Sequence, residues 1–96
     1  MAEYRRSLGV MATPPGFVGL GRALYDSNQT AEAVKALEAA QRLDPGYAPS
    51  WLLLGEIHQG EGRVALARAA YQRFLQLQPN GEQARAVREI LARQLN

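Results

Sequence analysis

Two similar stretches of sequence decide the fold: FVGLGRAL at residues 17–24 and WLLLGEIH at residues 51–58. When the chain is shifted against itself by 34, residues 15–45 align with residues 49–79. Eight pairs are then identical, at positions 15, 20, 21, 31, 33, 36, 43 and 45 of the first copy. The matched positions are apolar, small or proline. Such a period indicates a protein built by stacking one structural unit.

Each copy is predicted to form two helices. In the first helix, apolar residues recur at i, i+3, i+4 and i+7, which places them on one face. Pro15 suits the first helical position, and Thr30 is expected to be the N-cap of the second helix. The stripe of the second helix is Ala33, Ala36, Leu37, Ala40 and Leu43 in the first copy and Ala67, Ala70, Tyr71, Phe74 and Leu77 in the second. Because small residues let two helices approach closely, Gly21 should pack against Ala33, and Gly55 against Ala67.

This pattern resembles the tetratricopeptide repeat, in which W-x2-L-G-x2-Y precedes a small Ala, an aromatic residue, another Ala and a Pro. The residues that carry the resemblance are Phe17, Leu20, Gly21, Ala33, Leu37, Ala40 and Pro45, then Trp51, Leu54, Gly55, Ala67, Tyr71 and Pro79. It implies an all-α fold, a right-handed α-solenoid of antiparallel helix pairs. Leu24 and His58 stand where the family prefers tyrosine, and Phe74 stands where it prefers a second alanine. We therefore expect His58 to be a packed residue rather than a metal ligand.

The predicted organisation is one structural domain in four segments. Residues 14–47 and 48–81 are the two repeats, and residues 82–96 form a capping helix with Ala84, Val87, Leu91 and Leu95 on one stripe. Residues 1–13 are an N-terminal extension or the tail of a preceding helix, because residues 2–8 resemble residues 69–75 and residues 2–10 therefore look like the end of a second helix. We therefore expect the chain to be the C-terminal part of a larger repeat protein. Its Arg-rich, Ala-rich composition favours a bacterial source.

Composition argues against several classes of protein. The net charge is +2 with the charges spread along the chain, whereas nucleic-acid binders cluster their basic residues on one face. No apolar run approaches the roughly 20 residues that span a membrane. We expect a cytoplasmic protein, or a periplasmic one if its full-length form is exported, with neither a nucleic-acid nor a membrane partner.

Nothing in the sequence indicates catalysis, a cofactor or a metal. There is no cysteine and only one histidine, and the sequence suggests no base partner for Ser7 or Ser50. Residues 60–65, GEGRVA, have the outline of a dinucleotide-binding fingerprint. That fingerprint requires a preceding strand, and a helix is predicted there. We therefore expect a protein that is not an enzyme.

The resemblance implies a protein-interaction scaffold, in which the first helices line a concave groove that takes a peptide or helix of another protein. The groove positions that it implies are Val18, Arg22, Tyr25, Asp26, Leu52, Glu56, Gln59, Arg85 and Glu89. Two alternatives remain open. The chain could be a substrate-positioning arm of an upstream enzyme, or a structural unit that self-associates through its exposed repeat ends.

Overall fold

The structure, a computed structural model, describes residues 12–94, and within them the chain forms helices joined by short turns. The helices in this range are α1 (Pro14–Asp26), α2 (Thr30–Leu43), α3 (Ala48–Gly60), α4 (Val64–Leu77) and α5 (Glu82–Arg93). Helices α1 and α2 pack as one pair and α3 and α4 as the next. The predicted all-α fold of stacked helix pairs is therefore confirmed.

The first helix begins one residue earlier than the sequence indicated. Thr13 is its N-cap, and the Thr13 hydroxyl accepts a hydrogen bond from the backbone N–H of Gly16 at 3.1 Å. Two prolines fill the next positions, where a missing N–H costs nothing. The prediction that Thr30 caps α2 was wrong: Thr30 is the first residue of α2, and Gln29 occupies the cap without a side-chain hydrogen bond.

The first helix of each pair ends in the same hydrogen-bonded turn. In the first pair Gln29 N–H bonds to Leu24 C=O, and Asn28 N–H bonds to Tyr25 C=O. Arg63 and Gly62 make the same two bonds at the end of α3. This Schellman arrangement needs one residue in the left-handed region. Asn28 (φ 64°) and Gly62 (φ 76°), which occupy equivalent positions of the two repeats, supply it.

The core runs through both helix pairs rather than lying inside each one. One buried cluster joins side chains of α1 and α2 with Leu53, Leu54 and Ile57 of α3 and Ala70 of α4. Helix α3 is therefore buried on more than the single stripe that periodicity indicates, because helices flank it on two sides. Leu43, predicted on the buried stripe, is 54% exposed, since it is the last residue of α2 and lies where the chain leaves the helix pair.

Gly21 and Gly55 lie nearest to the large residue of the second helix of their pair, Leu37 or Tyr71, and not to the small residue, Ala33 or Ala67. A Cβ added to Gly21 would lie 3.2 Å from the Leu37 side chain and 3.4 Å from the carbonyl of Ala33. At Gly55 it would lie 2.6 Å from the ring of Tyr71, which supplies the nearest atoms there in place of the expected Ala67. Glycine at these positions lets the two helices of each pair approach closely.

Helix α5 covers the far side of the second pair. A second buried cluster contains Tyr71 and Phe74 of α4 together with Val87 of α5. Phe74, which replaces the family's second alanine, is fully buried in this cluster. The proposed helix tail at residues 2–10 and the stripe residue Leu95 lie outside the described residues.

Candidate partner-binding surface

Helices α1, α3 and α5 share one register. They begin at Pro14, Ala48 and Glu82, so each starts one repeat length after the one before. In sequence, helix α5 therefore takes the place of the first helix of a further repeat, although it lacks the aromatic and Leu-Gly signature; in the structure it packs against α4. Exposed Arg88 and Glu89 occupy the positions of Leu54 and Gly55. We call the face of α1 and α3 that carries Arg22, Glu56 and Gln59 the first-helix surface.

An ion pair joins the first two helices across this surface. The Nη2 atom of Arg22 lies 3.2 Å from Oε1 of Glu56, one repeat length further along the chain. The Arg22 side chain is 56% exposed and the Glu56 side chain 41%. An exposed pair of this kind contributes about 0–1 kcal/mol to stability. Its main effect here is that each charge neutralises the other between the two repeats.

Gln59 connects three helices through its side-chain amide. Its Oε1 accepts a hydrogen bond from the Tyr71 hydroxyl at 2.7 Å, and its Nε2 donates to Oε1 of Gln94, just after α5. Burial, together with the nearby Glu56 carboxylate, raises the pKa of Tyr71 to about 12, so the phenol stays protonated and can donate. One repeat earlier, Tyr25 stands at the position of Gln59. Its hydroxyl reaches Gly60 so closely that a Cβ there would collide with it.

The predicted groove residues fall into two groups. Those on α1 and α3 lie in the register of the repeat, with Val18 beside Leu52 and Arg22 beside Glu56. Arg85 and Glu89 of α5 are exposed, but the register places them at the equivalents of Trp51 and Gly55. Extending the same shift beyond residue 81 gives Ala86 and Ile90 as the α5 equivalents of Leu52 and Glu56.

A cavity of about 340 Å³ opens on a different face, beside the first helix pair. Apolar Phe17, Leu20, Ala36 and Ala39 line it together with Lys35, Glu38 and Arg42. One repeat further on, Leu54 and Ala70 stand at the positions of Leu20 and Ala36, and all four side chains are buried in the first cluster. The cavity therefore lies beside the face of the first pair that is equivalent to the face by which the second pair packs against α2.

A second cavity, of about 390 Å³, lies between the start of α2 and the end of α3. It is lined by Thr30, Ala31, Val34, Lys35, Ile57, His58, Glu61 and Arg63. His58 is 9% exposed, and burial is the main cause that lowers its pKa, with Arg63 adding to the effect and Glu38 and Glu61 opposing it. Neither cavity is lined by a predicted groove residue.

Within residues 12–94, no three His, Cys, Asp or Glu side chains are placed so as to hold a metal ion. In the same range no helix combines the length and apolar character needed to cross a membrane. The helix pairs recur at a fixed period along the chain and share one extended core. The chain is therefore a helical repeat protein of the α-solenoid class.

Comparison with known proteins identifies the family. The model of the tetratricopeptide repeat matches residues 18–82, more than half of the chain. The chain therefore belongs to the tetratricopeptide repeat family.

Curated proteins with similar segments come from different kinds of organism. TPR repeat-containing protein PA0015 of Pseudomonas aeruginosa is 35% identical over 57 residues, which cover 59% of this chain and 54% of that protein. Protein O-mannosyl-transferase TMTC1 of Mus musculus is 36% identical over 66 residues, or 69% of this chain and 7% of that protein. The chloroplastic protein PYG7 of Arabidopsis thaliana is 29% identical over 72 residues, covering 75% of this chain and 24% of that protein. The chain thus spans about half or less of the length of these relatives.

Proposed function

We propose that this chain is a protein-interaction scaffold that binds a peptide or helix of a partner protein on its first-helix surface. Tetratricopeptide repeats generally mediate protein–protein interaction. The observation that carries the proposal is the shared register of α1, α3 and α5, with the Arg22–Glu56 pair holding neighbouring helices side by side. The surface then crosses from one first helix to the next, as recognition of an elongated segment requires.

A random-peptide display library panned against the whole chain tests this function. Binders should perturb the NMR amide signals of Arg22, Tyr25 and Gln59 on the first-helix surface. Signals of Lys35 and Glu38, which line the 340 Å³ cavity, should stay unchanged. Replacing the half-buried Tyr25 by Ala should weaken binding, whereas Gln72→Ala, at an exposed position of α4, should not. A library that yields no binder, or binders that perturb other faces alone, would refute the proposal.

A second candidate function, self-association, is favoured by the cavity beside the first helix pair. Its lining includes Leu20 and Ala36, whose equivalents in the second pair, Leu54 and Ala70, pack in the cluster that joins the two pairs. A structural unit could use this face to contact another helix pair or another copy of the chain. Sedimentation velocity over a hundredfold range of concentration separates the two functions. A sedimentation coefficient that rises with concentration favours self-association, and a constant one counts against it.

We further propose that the chain has no catalytic activity of its own and works in the cytoplasm as part of a larger bacterial protein. The similarity to an O-mannosyl-transferase covers 7% of that protein, which supports a shared repeat better than a shared reaction. Assay of the chain for hydrolysis or transfer on glycosylated and phosphorylated model substrates tests the first point. Turnover that survives repurification would contradict it.

A further inference from the structure

The cavity of about 390 Å³ between the start of α2 and the end of α3 carries an excess of positive charge. Lys35 and Arg63 line it against a single carboxylate, that of Glu61. The Lys35 ammonium also lies 3.6 Å from Glu32 on the same helix, but the Lys35 side chain is 63% exposed. An exposed pair of this kind is weak and does not hold Lys35 away from a ligand.

A buried histidine lines the same cavity without a hydrogen bond. His58 is only 9% exposed, and what surface it keeps faces the cavity. Within residues 12–94 no hydrogen bond joins its imidazole to another group. Buried polar groups of folded proteins are normally paired, so an unpaired imidazole calls for an explanation. Burial lowers its pKa, so the ring is neutral at pH 7 and offers one N–H to an acceptor in the cavity.

The start of α2 supplies further donors. Thr30 and Ala31 are its first two residues, both line the cavity, and no side chain caps this end of the helix. The N–H groups of a first helical turn have no partner within the helix, and together with the helix dipole they favour an anion. The Thr30 hydroxyl is a donor at the same end. Backbone and side-chain donors therefore meet at one cavity.

The repeat itself does not require these polar residues. One repeat further on, Val64 and Ala92 stand at the positions of Thr30 and His58, and the helices there form equally well. The family prefers tyrosine at the position of His58. The polar set thus belongs to this cavity and not to the packing of a helix pair.

The donors and the size of the cavity together select the ligand. Lys35, Arg63 and His58 can each donate, as can the start of α2, so the ligand needs several acceptor oxygens. A phosphoryl group presents three and carries about −1.5 to −2 charge at pH 7, whereas a carboxylate presents two and a single charge. A phosphoryl group alone leaves part of the cavity empty, and Val34 and Ile57 supply an apolar wall beside it.

We propose that this cavity binds a phosphate monoester, with its phosphoryl group at the start of α2 beside Lys35, Arg63 and His58 and its apolar ester group against Val34 and Ile57. The site lies apart from the first-helix surface, so the inference goes beyond the proposed function and does not depend on it. Because the ligand is an anion held partly by exposed cations, its affinity falls as the salt concentration rises.

Phenyl phosphate, followed by NMR of the whole chain, tests the inference. It should shift the amide signals of Thr30 and Ala31 and leave those of Arg22 and Gln59, on the first-helix surface, unchanged. It should bind at least tenfold more tightly than benzoate, which carries a carboxylate instead. Inorganic phosphate and phenol each lack one half of the ligand and should also bind at least tenfold more weakly. Equal binding of benzoate, or shifts confined to other residues, would overturn the inference.

The His58 imidazole gives an independent readout. In the free chain, burial and Arg63 lower its pKa while Glu38 and Glu61 oppose them, and Lys35 lines the same cavity. A phosphoryl dianion beside the ring favours the imidazolium, so the NMR titration midpoint of His58 should rise when phenyl phosphate saturates the chain. A midpoint that does not move would contradict the site.

Matched variants locate the binding. Lys35→Gln and Arg63→Gln should each weaken binding of phenyl phosphate at least fivefold. Arg42→Gln removes the same charge from α2 outside this cavity and should change the affinity less than twofold. All three positions are exposed, so the variants are expected to fold. Full binding by both cavity variants, or an equal loss in Arg42→Gln, would refute the assignment.

A phosphotyrosine pentapeptide distinguishes the two sources of such a group. Binding at least as tight as that of phenyl phosphate supports the site and indicates a phosphorylated protein segment. Weaker binding than that of phenyl phosphate supports the site for a free small molecule.

Discussion

At the scale of single residues, the tightest packing requirement lies at Gly55. A Cβ there would sit 2.6 Å from the Tyr71 ring, which is itself fully buried and cannot move away freely. We expect Gly55→Ala to lower the free energy of unfolding by about 1–3 kcal/mol, the usual cost of overpacking. Urea unfolding followed by circular dichroism measures it.

Gly19→Ala is the matched control for Gly55→Ala. A Cβ at Gly19 meets no atom within 4 Å, and the residue lies inside α1. Because glycine is a poorer helix former than alanine, we expect a gain of about 0.5–1 kcal/mol. If both variants shift stability in the same direction, steric contact with Tyr71 is not what fixes Gly55.

His58 makes stability depend on pH. Its pKa in the folded chain lies below the ordinary value of 6.5, mainly because of burial. The unfolded chain therefore binds the proton first as the pH falls, so folding is most stable above about pH 6.5 and loses stability as the pH falls toward the folded pKa.

We expect the free energy of unfolding to fall between pH 7 and pH 5 more steeply in the native chain than in His58→Gln. The variant keeps a polar side chain that does not titrate. NMR titration of the His58 imidazole should give a midpoint below 6.5. A midpoint at or above 6.5, or equal slopes for the two proteins, would contradict the assignment.

At the scale of helices, the turn that ends each first helix makes a further prediction. Gly62 has φ 76°, where a side chain is strained, so Gly62→Ala should cost about 1–2 kcal/mol. Asn28 holds the equivalent left-handed position at lower cost, because Asn tolerates this region better than other residues with a side chain. Asn28→Gly should therefore gain a few tenths of a kcal/mol. Urea denaturation of both variants checks this, and a stability loss in Asn28→Gly would refute it.

The helix pairs could be predicted from sequence because the repeated positions are those that pack. Leu20 and Gly21 recur at Leu54 and Gly55, and all four are buried. Details set by neighbouring elements could not be predicted. The apolar periodicity of α3 did not predict that Leu53 and Ile57 are buried as well. Their burial arises because helices flank α3 on two sides.

The register of the first helices can be followed in the sequence where the repeat signature exists, on α1 and α3, and cannot be followed on α5, where it is absent. The aromatic and Leu-Gly residues mark a helix that packs against the second helix of its own pair. In α5, Arg88 and Glu89 replace Leu54 and Gly55, so the register could not be recognised from those positions. Arg85 and Glu89 were therefore predicted from their exposed positions on the helix and not from the register, and their place in a groove stays a prediction.

At the scale of the whole molecule, the shared core couples the two repeats. The first cluster contains side chains of α1 to α4, and Trp51 packs against both clusters. The Trp51 indole N–H also donates to the carbonyl of Pro45 at 2.9 Å, and the guanidinium of Arg73 lies 5.8 Å from its ring centroid. Trp51 is the only tryptophan, so its fluorescence reports on the junction between the repeats.

We expect one cooperative unfolding transition, in which Trp51 fluorescence and far-UV circular dichroism coincide, because neither repeat can keep its half of the first cluster buried alone. Leu54→Ala removes a buried side chain from that cluster and should cost about 2–5 kcal/mol. The control, Leu66→Ala, alters a residue that is 49% exposed and should change stability by no more than about 0.5 kcal/mol. If the fluorescence transition of the native chain precedes the loss of helix, the repeats separate before they unfold and the core does not couple them. If Leu54→Ala alone splits the two transitions, the coupling passes through Leu54.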